Sequence, residues 1–189
     1  MNKNYIIIGD SITYGIGDYE SLGWATLLKK EIVNKDDTYI CNNFVHIAGY
    51  PGATSIEVLD RINDIYNAFM FNGFKNVFIL AIGINDVYEF AESGKNDIND
   101  YISNIKKIVK YCKENDIELK ILGFTLTDDD EINQLILEYD TALRDYCNEK
   151  EITFIPILDL LTIDDLIDGL HPNKDGHQKI FNRIKNYIN

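Results

Sequence analysis

The sequence predicts an α/β fold, a three-layer sandwich in which a five-stranded parallel sheet lies between helices packed on both faces. Two patterns carry this expectation. Short runs rich in β-branched and apolar residues recur at residues 5–8, 39–47, 76–82, 118–124 and 152–157. Longer amphipathic segments alternate with them, at residues 22–33, 55–68, 97–115, 131–150 and 174–188. Parallel strands need a long crossover between them, and an alternation of strand and helix supplies it. A third observation sets the scale. The chain has 189 residues, no internal repeat and no Gly-, Pro- or Ser-rich linker, so residues 1–189 are expected to form a single domain.

Each element has its own signal. The first strand is the run Tyr5, Ile6, Ile7, Ile8, stopped by Gly9. His46 falls at the end of the second strand and reads as a packed residue rather than a ligand. Thr54 followed three residues later by Glu57 is the pattern of a capping box, which starts the second helix. In the helix over residues 97–115, Ile98, Ile102, Ile105, Val109 and Cys112 follow at steps of four, three, four and three, a single stripe expected to face the sheet. The acidic run at residues 128–131 reads as a solvated loop whose carboxylates favour the positive end of the next helix. Residues 14–21, 87–96 and 125–130 are expected to be loops that wall a pocket.

Composition removes several function classes. Thirty-one Asp and Glu against eighteen Lys and Arg give a formal net charge of −13, a field that repels phosphate backbones and anionic lipid heads, so nucleic acid is not an expected partner. The longest apolar run near the start, Tyr5 to Ile8, is far short of a secretory core or of the roughly 20 residues of a membrane span. A cytoplasmic location without stable membrane insertion is the expectation. Cys41, Cys112 and Cys147 are odd in number and widely spaced, with no C-x-x-C pair, and read as reduced packing residues rather than a disulfide or metal set. No cofactor or metal is expected.

The chemistry gathers where the strands end, because ligands of open α/β sheets bind outside the carboxyl ends of the strands. After the first strand comes Gly9-Asp10-Ser11-Ile12-Thr13, and after the second Ala48-Gly49-Tyr50-Pro51-Gly52-Ala53-Thr54-Ser55. After the third comes Gly83-Ile84-Asn85-Asp86, and beyond the fifth Asp168-Gly169-Leu170-His171-Pro172. One rim thus holds a hydroxyl, exposed glycine backbone, a side-chain amide, and a carboxylate three residues from an imidazole. A serine hydroxyl is a weak nucleophile until a neutral imidazole takes its proton, and the imidazole needs a carboxylate to hold its tautomer. These are the parts of a serine hydrolase. The G-x-S-x-G elbow of α/β-hydrolases is missing, since Thr13 stands where the second Gly belongs.

In these four blocks the chain resembles the SGNH hydrolases, also called GDSL esterases and lipases, and the resemblance runs from Gly9 to His171. It implies a five-stranded parallel sheet between helices, Ser11 as nucleophile, His171 as general base and Asp168 as the partner that orients it. It further implies an oxyanion hole made by the Ser11 N–H, the Gly52 N–H and the Asn85 side-chain amide. Gly49 competes with Gly52 for the second of these places, and Gly52 is preferred because it stands next to the stretch capped by Thr54. Ile12 occupies the position where the family name has Leu, a volume-conserving swap. Asp10 and Asp86 are expected to support their loops through hydrogen bonds, not to carry protons.

Taken singly, each of these residues has a plainer reading. Serine after a strand is commonly a cap or turn residue, Asn an Asx-turn residue, and Asp-Gly a turn pair. Their coincidence at one sheet edge is what points to chemistry. His177, on the last helix, is expected to be structural. Trp24, Tyr14, Tyr50, Tyr88, Phe90 and Phe124 divide between core and pocket wall. The rival function is a flavodoxin-like phosphate or flavin-binding module, because the hydroxyls and glycine of residues 11–15 also suit a phosphate loop. Such a module has no use for Asp168 and His171. The expected partner is a small acyl ester; short-chain esters, thioesters, lysophospholipids and acetylated sugars all fit the same chemistry.

Overall fold

The computed structural model describes residues 2–34 and 43–188. Five strands form one parallel sheet: β1 (Lys3–Gly9), β2 (Asn43–Gly49), β3 (Lys75–Ala81), β4 (Glu118–Leu122) and β5 (Thr153–Ile155), in the spatial order β2-β1-β3-β4-β5. The helices are α1 (Ser11–Tyr14), α2 (Gly23–Asn34), α3 (Ser55–Phe69), α4 (Ile84–Ser93), α5 (Ile98–Glu114), α6 (Asp130–Glu149) and α7 (Lys174–Ile184). The fold class expected from the sequence is the one found. Residues 39–42 of the expected second strand, and Cys41 with them, lie outside the described residues.

The strand period divides the core. Along β1, Ile6 and Ile8 face α3, α5 and α6, while Tyr5 and Ile7 face α2 and α7. Both sheet faces are covered, which is why the three isoleucines of β1 run without a polar interruption. On one face the packing partners are Val58, Ile62, Ile105, Ile108, Ile136 and Leu143; on the other they are Trp24, Leu28, Ile180 and Ile184. Cys112 and Cys147 are free and buried in the first of these layers, and burial pushes both thiols up to about 12.

Three readings of the sequence change in the structure. Residues 84–93 form helix α4, so most of the expected loop at 87–96 is helical. The buried face of α5 is Tyr101, Asn104, Ile105, Ile108, Val109 and Cys112, with Ile98 and Ile102 only partly covered, so the stripe is rotated from the one counted in isoleucines. The last helix ends at Ile184 and continues as a single 3-10 turn, Lys185–Tyr187. The Thr54 signal holds: the Thr54 N–H donates to Glu57 Oε2 at 3.0 Å as α3 begins. Asp129, within the acidic run, caps α6 by accepting the N–H groups of Glu131 and Ile132.

The site is positioned by topology. From β1 the chain crosses to β2 on one side and then returns to β3 on the other, with β1 between them. The loops after β1 and β3 therefore leave in different directions and open a crevice at the carboxyl edge of the sheet.

Candidate active site

Ser11 reaches this crevice on a one-turn helix. Asp10 caps the turn, its Oδ1 accepting the Ile12 N–H at 2.9 Å, and Ser11 is the first helical residue, buried but for 6% of its surface. The Ser11 N–H has no hydrogen-bond partner among the described residues, as expected for the first turn of a helix. Burial pushes the Asp10 carboxyl up to about 6, against the opposing pull of the Ile12 and Thr13 N–H groups and of His171.

His171 arrives from the opposite end of the sequence on a closed turn. Leu166 and Pro172 form an antiparallel bridge, and the Ile167 N–H donates to the His171 carbonyl at 2.9 Å, which leaves residues 168–171 at the tip. Asp168 holds that tip from within: its Oδ1 accepts the N–H groups of Leu170 at 3.2 Å and His171 at 2.8 Å. Its Oδ2 lies 2.8 Å from His171 Nδ1. Burial raises the Asp168 pKa, but the two N–H groups and the imidazole outweigh it, and the net displacement is downward. An ionised carboxylate accepts from Nδ1–H, so Nε2 presents a lone pair. That Nε2 is 2.9 Å from Ser11 Oγ. The three residues named from the sequence thus form one continuous hydrogen-bonded line, able to move a proton from Oγ to Nε2 while the carboxylate stabilises the charged ring.

The remaining expected residues come to the same edge. Asn85 is in the first turn of α4, which starts directly after Gly83, and its Nδ2 donates to the Ala53 carbonyl at 2.9 Å. Gly52 is at the exposed tip of the loop before α3 with φ +81, a left-handed conformation that favours glycine, and its N–H has no partner among the described residues. Gly49 ends β2, paired in register with Gly9. Asp86 is fully buried: its Oδ2 accepts the Ser55 N–H at 2.8 Å and its Oδ1 the Ser55 hydroxyl at 2.5 Å. Burial carries its carboxyl up to about 6 in spite of these bonds.

The other two histidines have structural places. His46 stacks on Phe69 with ring centroids 4.7 Å apart. His177 is fully buried, accepting the Trp24 N–H on Nδ1 at 3.3 Å and donating from Nε2 to the Ile16 carbonyl at 2.9 Å, which ties α7 to the loop behind Ser11. Of the aromatic residues, Trp24 and Phe124 are core. Tyr14 is 61% exposed and, with Leu22, Tyr50 and Phe69, walls a groove of about 410 Å³ beside the Ser11 turn.

Two contributors escape a reading of the sequence alone. Ser55 and Asn104 complete the bonding around Asp86, with Asn104 Nδ2 donating to Ser55 Oγ at 3.1 Å. The available signal is Asn104, a polar residue three and four positions from Tyr101 and Ile108 on a buried helix face.

Residues 7–179 match the model of the GDSL-like lipase/acylhydrolase family. The structure is similar to that of a lipolytic protein of the G-D-S-L family from Veillonella parvula DSM 2008, with 20% identity over 98% of each chain and a TM-score of 0.77. It is also similar to an acetyl xylan esterase, with 19% identity over 98% of this chain and 100% of the other and a TM-score of 0.82. A catalytic mutant of an acetylxylan esterase from Geobacillus stearothermophilus follows, with 16% identity over 98% of this chain and 93% of the other and a TM-score of 0.77. No curated protein sequence matches the chain. At these identities the solved structures speak for the fold, and the family is carried by the match over most of the sequence: the chain belongs to the GDSL-like lipase/acylhydrolase family and is an ester-bond hydrolase.

Proposed function

We propose that the protein hydrolyses small acyl esters through a Ser11, His171 and Asp168 triad and an acyl-enzyme intermediate. The observation that carries this reading is the unbroken line from Asp168 Oδ2 through His171 to Ser11 Oγ, with contacts of 2.8 and 2.9 Å. Ser11 Oγ attacks the acyl carbonyl while His171 Nε2 takes its proton, and the same nitrogen returns the proton to the departing alcohol. Water then attacks the acyl-enzyme, again giving its proton to Nε2, and the acyl–Oγ bond breaks as Nε2 returns that proton to Ser11 Oγ and the acid leaves. Asp168 holds the ring in the tautomer this needs and stabilises the imidazolium without itself taking the proton.

The developing oxyanion is assigned to the Ser11 N–H, the Gly52 N–H and the Asn85 amide. The first two are backbone donors without a protein partner among the described residues, and Asn85 keeps one amide hydrogen free after binding Ala53. A phosphate-binding reading of the loop after β1 gives Asp168 and His171 no task. The test is a panel of p-nitrophenyl esters of increasing acyl length, starting with acetate because two of the similar structures are acetylxylan esterases. Turnover that disappears in Ser11→Ala supports the reading, and equal turnover in the wild type and Ser11→Ala would overturn it.

A further inference from the structure

The loop that carries Gly52 is open at its tip. Pro51 and Gly52 are exposed, and the turn is closed by a single backbone bond, from the Ala53 N–H to the Tyr50 carbonyl at 3.0 Å. On either side of the tip the Tyr50 N–H donates to the Gly9 carbonyl at 2.9 Å and the Thr54 N–H to Glu57 at 3.0 Å, and α4 adds a grip from outside. Two successive residues of its first turn grip two alternate residues of the segment: Asn85 takes the Ala53 carbonyl at 2.9 Å, and Asp86 takes both the N–H and the hydroxyl of Ser55. Each Asp86 oxygen receives a different donor of the same residue, a two-point clamp that sets orientation as well as distance. Asn104, from α5, donates to Ser55 Oγ at 3.1 Å, so the hydroxyl hydrogen is directed at Asp86. Asp86 and Ser55 are fully buried, and no solvent is at hand to take over a lost partner.

We propose that Asp86 and Ser55, backed by Asn104, are positioning residues that set the separation between the two remote oxyanion donors, the Gly52 N–H and the Asn85 amide. This rests on the oxyanion assignment above and deepens it. The hydrogen bonds of the Asp86 carboxylate go to Ser55 and not to Ser11. Asp86 acts through Ser55, two residues of chain beyond Ala53 from Gly52, and through its covalent neighbour Asn85. A hole whose donors are preorganised costs no rearrangement when charge develops, whereas donors displaced by a fraction of an ångström lose most of their effect on the transition state and little of their effect on ground-state binding.

The test compares Ser55→Ala, Asp86→Asn and their double variant on p-nitrophenyl acetate. Each single variant is expected to lose about 10-fold in kcat with KM within about twofold, short of the roughly 100-fold loss on removing a donor outright. Because both changes cut one link, the double variant is expected to be little worse than the poorer single. Affinity for a tetrahedral boronic acid should fall by the same factor as kcat. Ser55→Thr, which keeps the hydroxyl, should recover most of the loss. Ile136→Val, in the core of α6, serves as a control that lowers the melting temperature and leaves kcat in place.

If kcat of Ser55→Ala stays within twofold of the wild type, or the two single losses multiply, the clamp has no positioning role. If Asp86→Asn fails to fold, Ser55→Ala with its Thr rescue decides alone. Failure of the parent oxyanion assignment shows separately, as an Asn85→Ala variant that keeps wild-type kcat on the same ester, and that result removes both.

Discussion

Asn85 and Ala53 are joined by a hydrogen bond of 2.9 Å from the amide of one to the carbonyl of the other, which ties the loop after β3 to the loop after β2. The bond uses one amide hydrogen and fixes the plane of the group, so the second hydrogen has a defined direction. Asn85→Ala removes the donor and the tie together. On the proposed oxyanion role, turnover of p-nitrophenyl acetate is expected to fall by roughly 100-fold or more, with a much smaller change in KM, since a donor in that role acts most strongly once negative charge has built up on the carbonyl oxygen. Steady-state kinetics checks this. A rise in KM at constant kcat would place Asn85 in ground-state binding instead.

Gly17 packs under the turn that carries His171. Its φ is +100, and a Cβ built on it overlaps the Pro172 carbonyl. Gly17→Ala therefore meets both an unfavourable backbone conformation and a collision with the neighbour of His171. A loss of about 1–3 kcal/mol in urea unfolding is expected, together with reduced kcat as the imidazole is carried away from Ser11. Unchanged stability would mean that the loop over residues 15–23 is not pressed against Pro172 in solution.

His177 and Asp86 make stability depend on pH in opposite senses. Burial holds the His177 pKa down, against the Ile16 carbonyl and Asp18, which favour its charged form. The unfolded chain takes up that proton at about 6.5, before the folded chain does, so this contribution is present above about 6.5 and is lost as pH falls below it. Asp86 is raised by burial from 3.8 to about 6, so between those values the folded chain carries a proton that the unfolded chain lacks. Its contribution grows as pH falls through that window. Urea unfolding at pH 7.5 and 5.5 separates the two. The stability advantage of the wild type over His177→Gln should shrink on acidification, and its advantage over Asp86→Asn should grow. Differences that do not move with pH would show that neither group changes its protonation on unfolding.

The parts of this molecule that read directly from the sequence are those governed by local rules. The β1 run of isoleucines is legible because both faces of a central parallel strand are covered, and the blocks that hold Ser11, Gly52 and Asn85 are legible because they sit where β1, β2 and β3 end. The period of α5 is legible and its phase is not. A count of isoleucines ignores that Tyr101 can be buried by donating its hydroxyl to the Ile82 carbonyl at 3.1 Å, and Asn104 by donating to Ser55. Helix α4 is hidden because it starts at once after Gly83, whose φ of +135 turns the chain without a recognisable cap, and because its acidic, short sequence resembles a loop. The pairing of Asp86 with Ser55 spans 31 positions and follows from strand order, which no local pattern contains.

The most direct measurement is covalent. A fluorophosphonate reacts only with a serine whose hydroxyl is activated by a neighbouring base, and peptide mass mapping then identifies the residue. With His171 Nε2 at 2.9 Å from Ser11 Oγ, a single adduct is expected on the peptide containing Gly9-Asp10-Ser11, and none on folded His171→Ala. An adduct on another serine, or folded wild-type protein that takes no label at all, would contradict the assignment of Ser11 as the nucleophile.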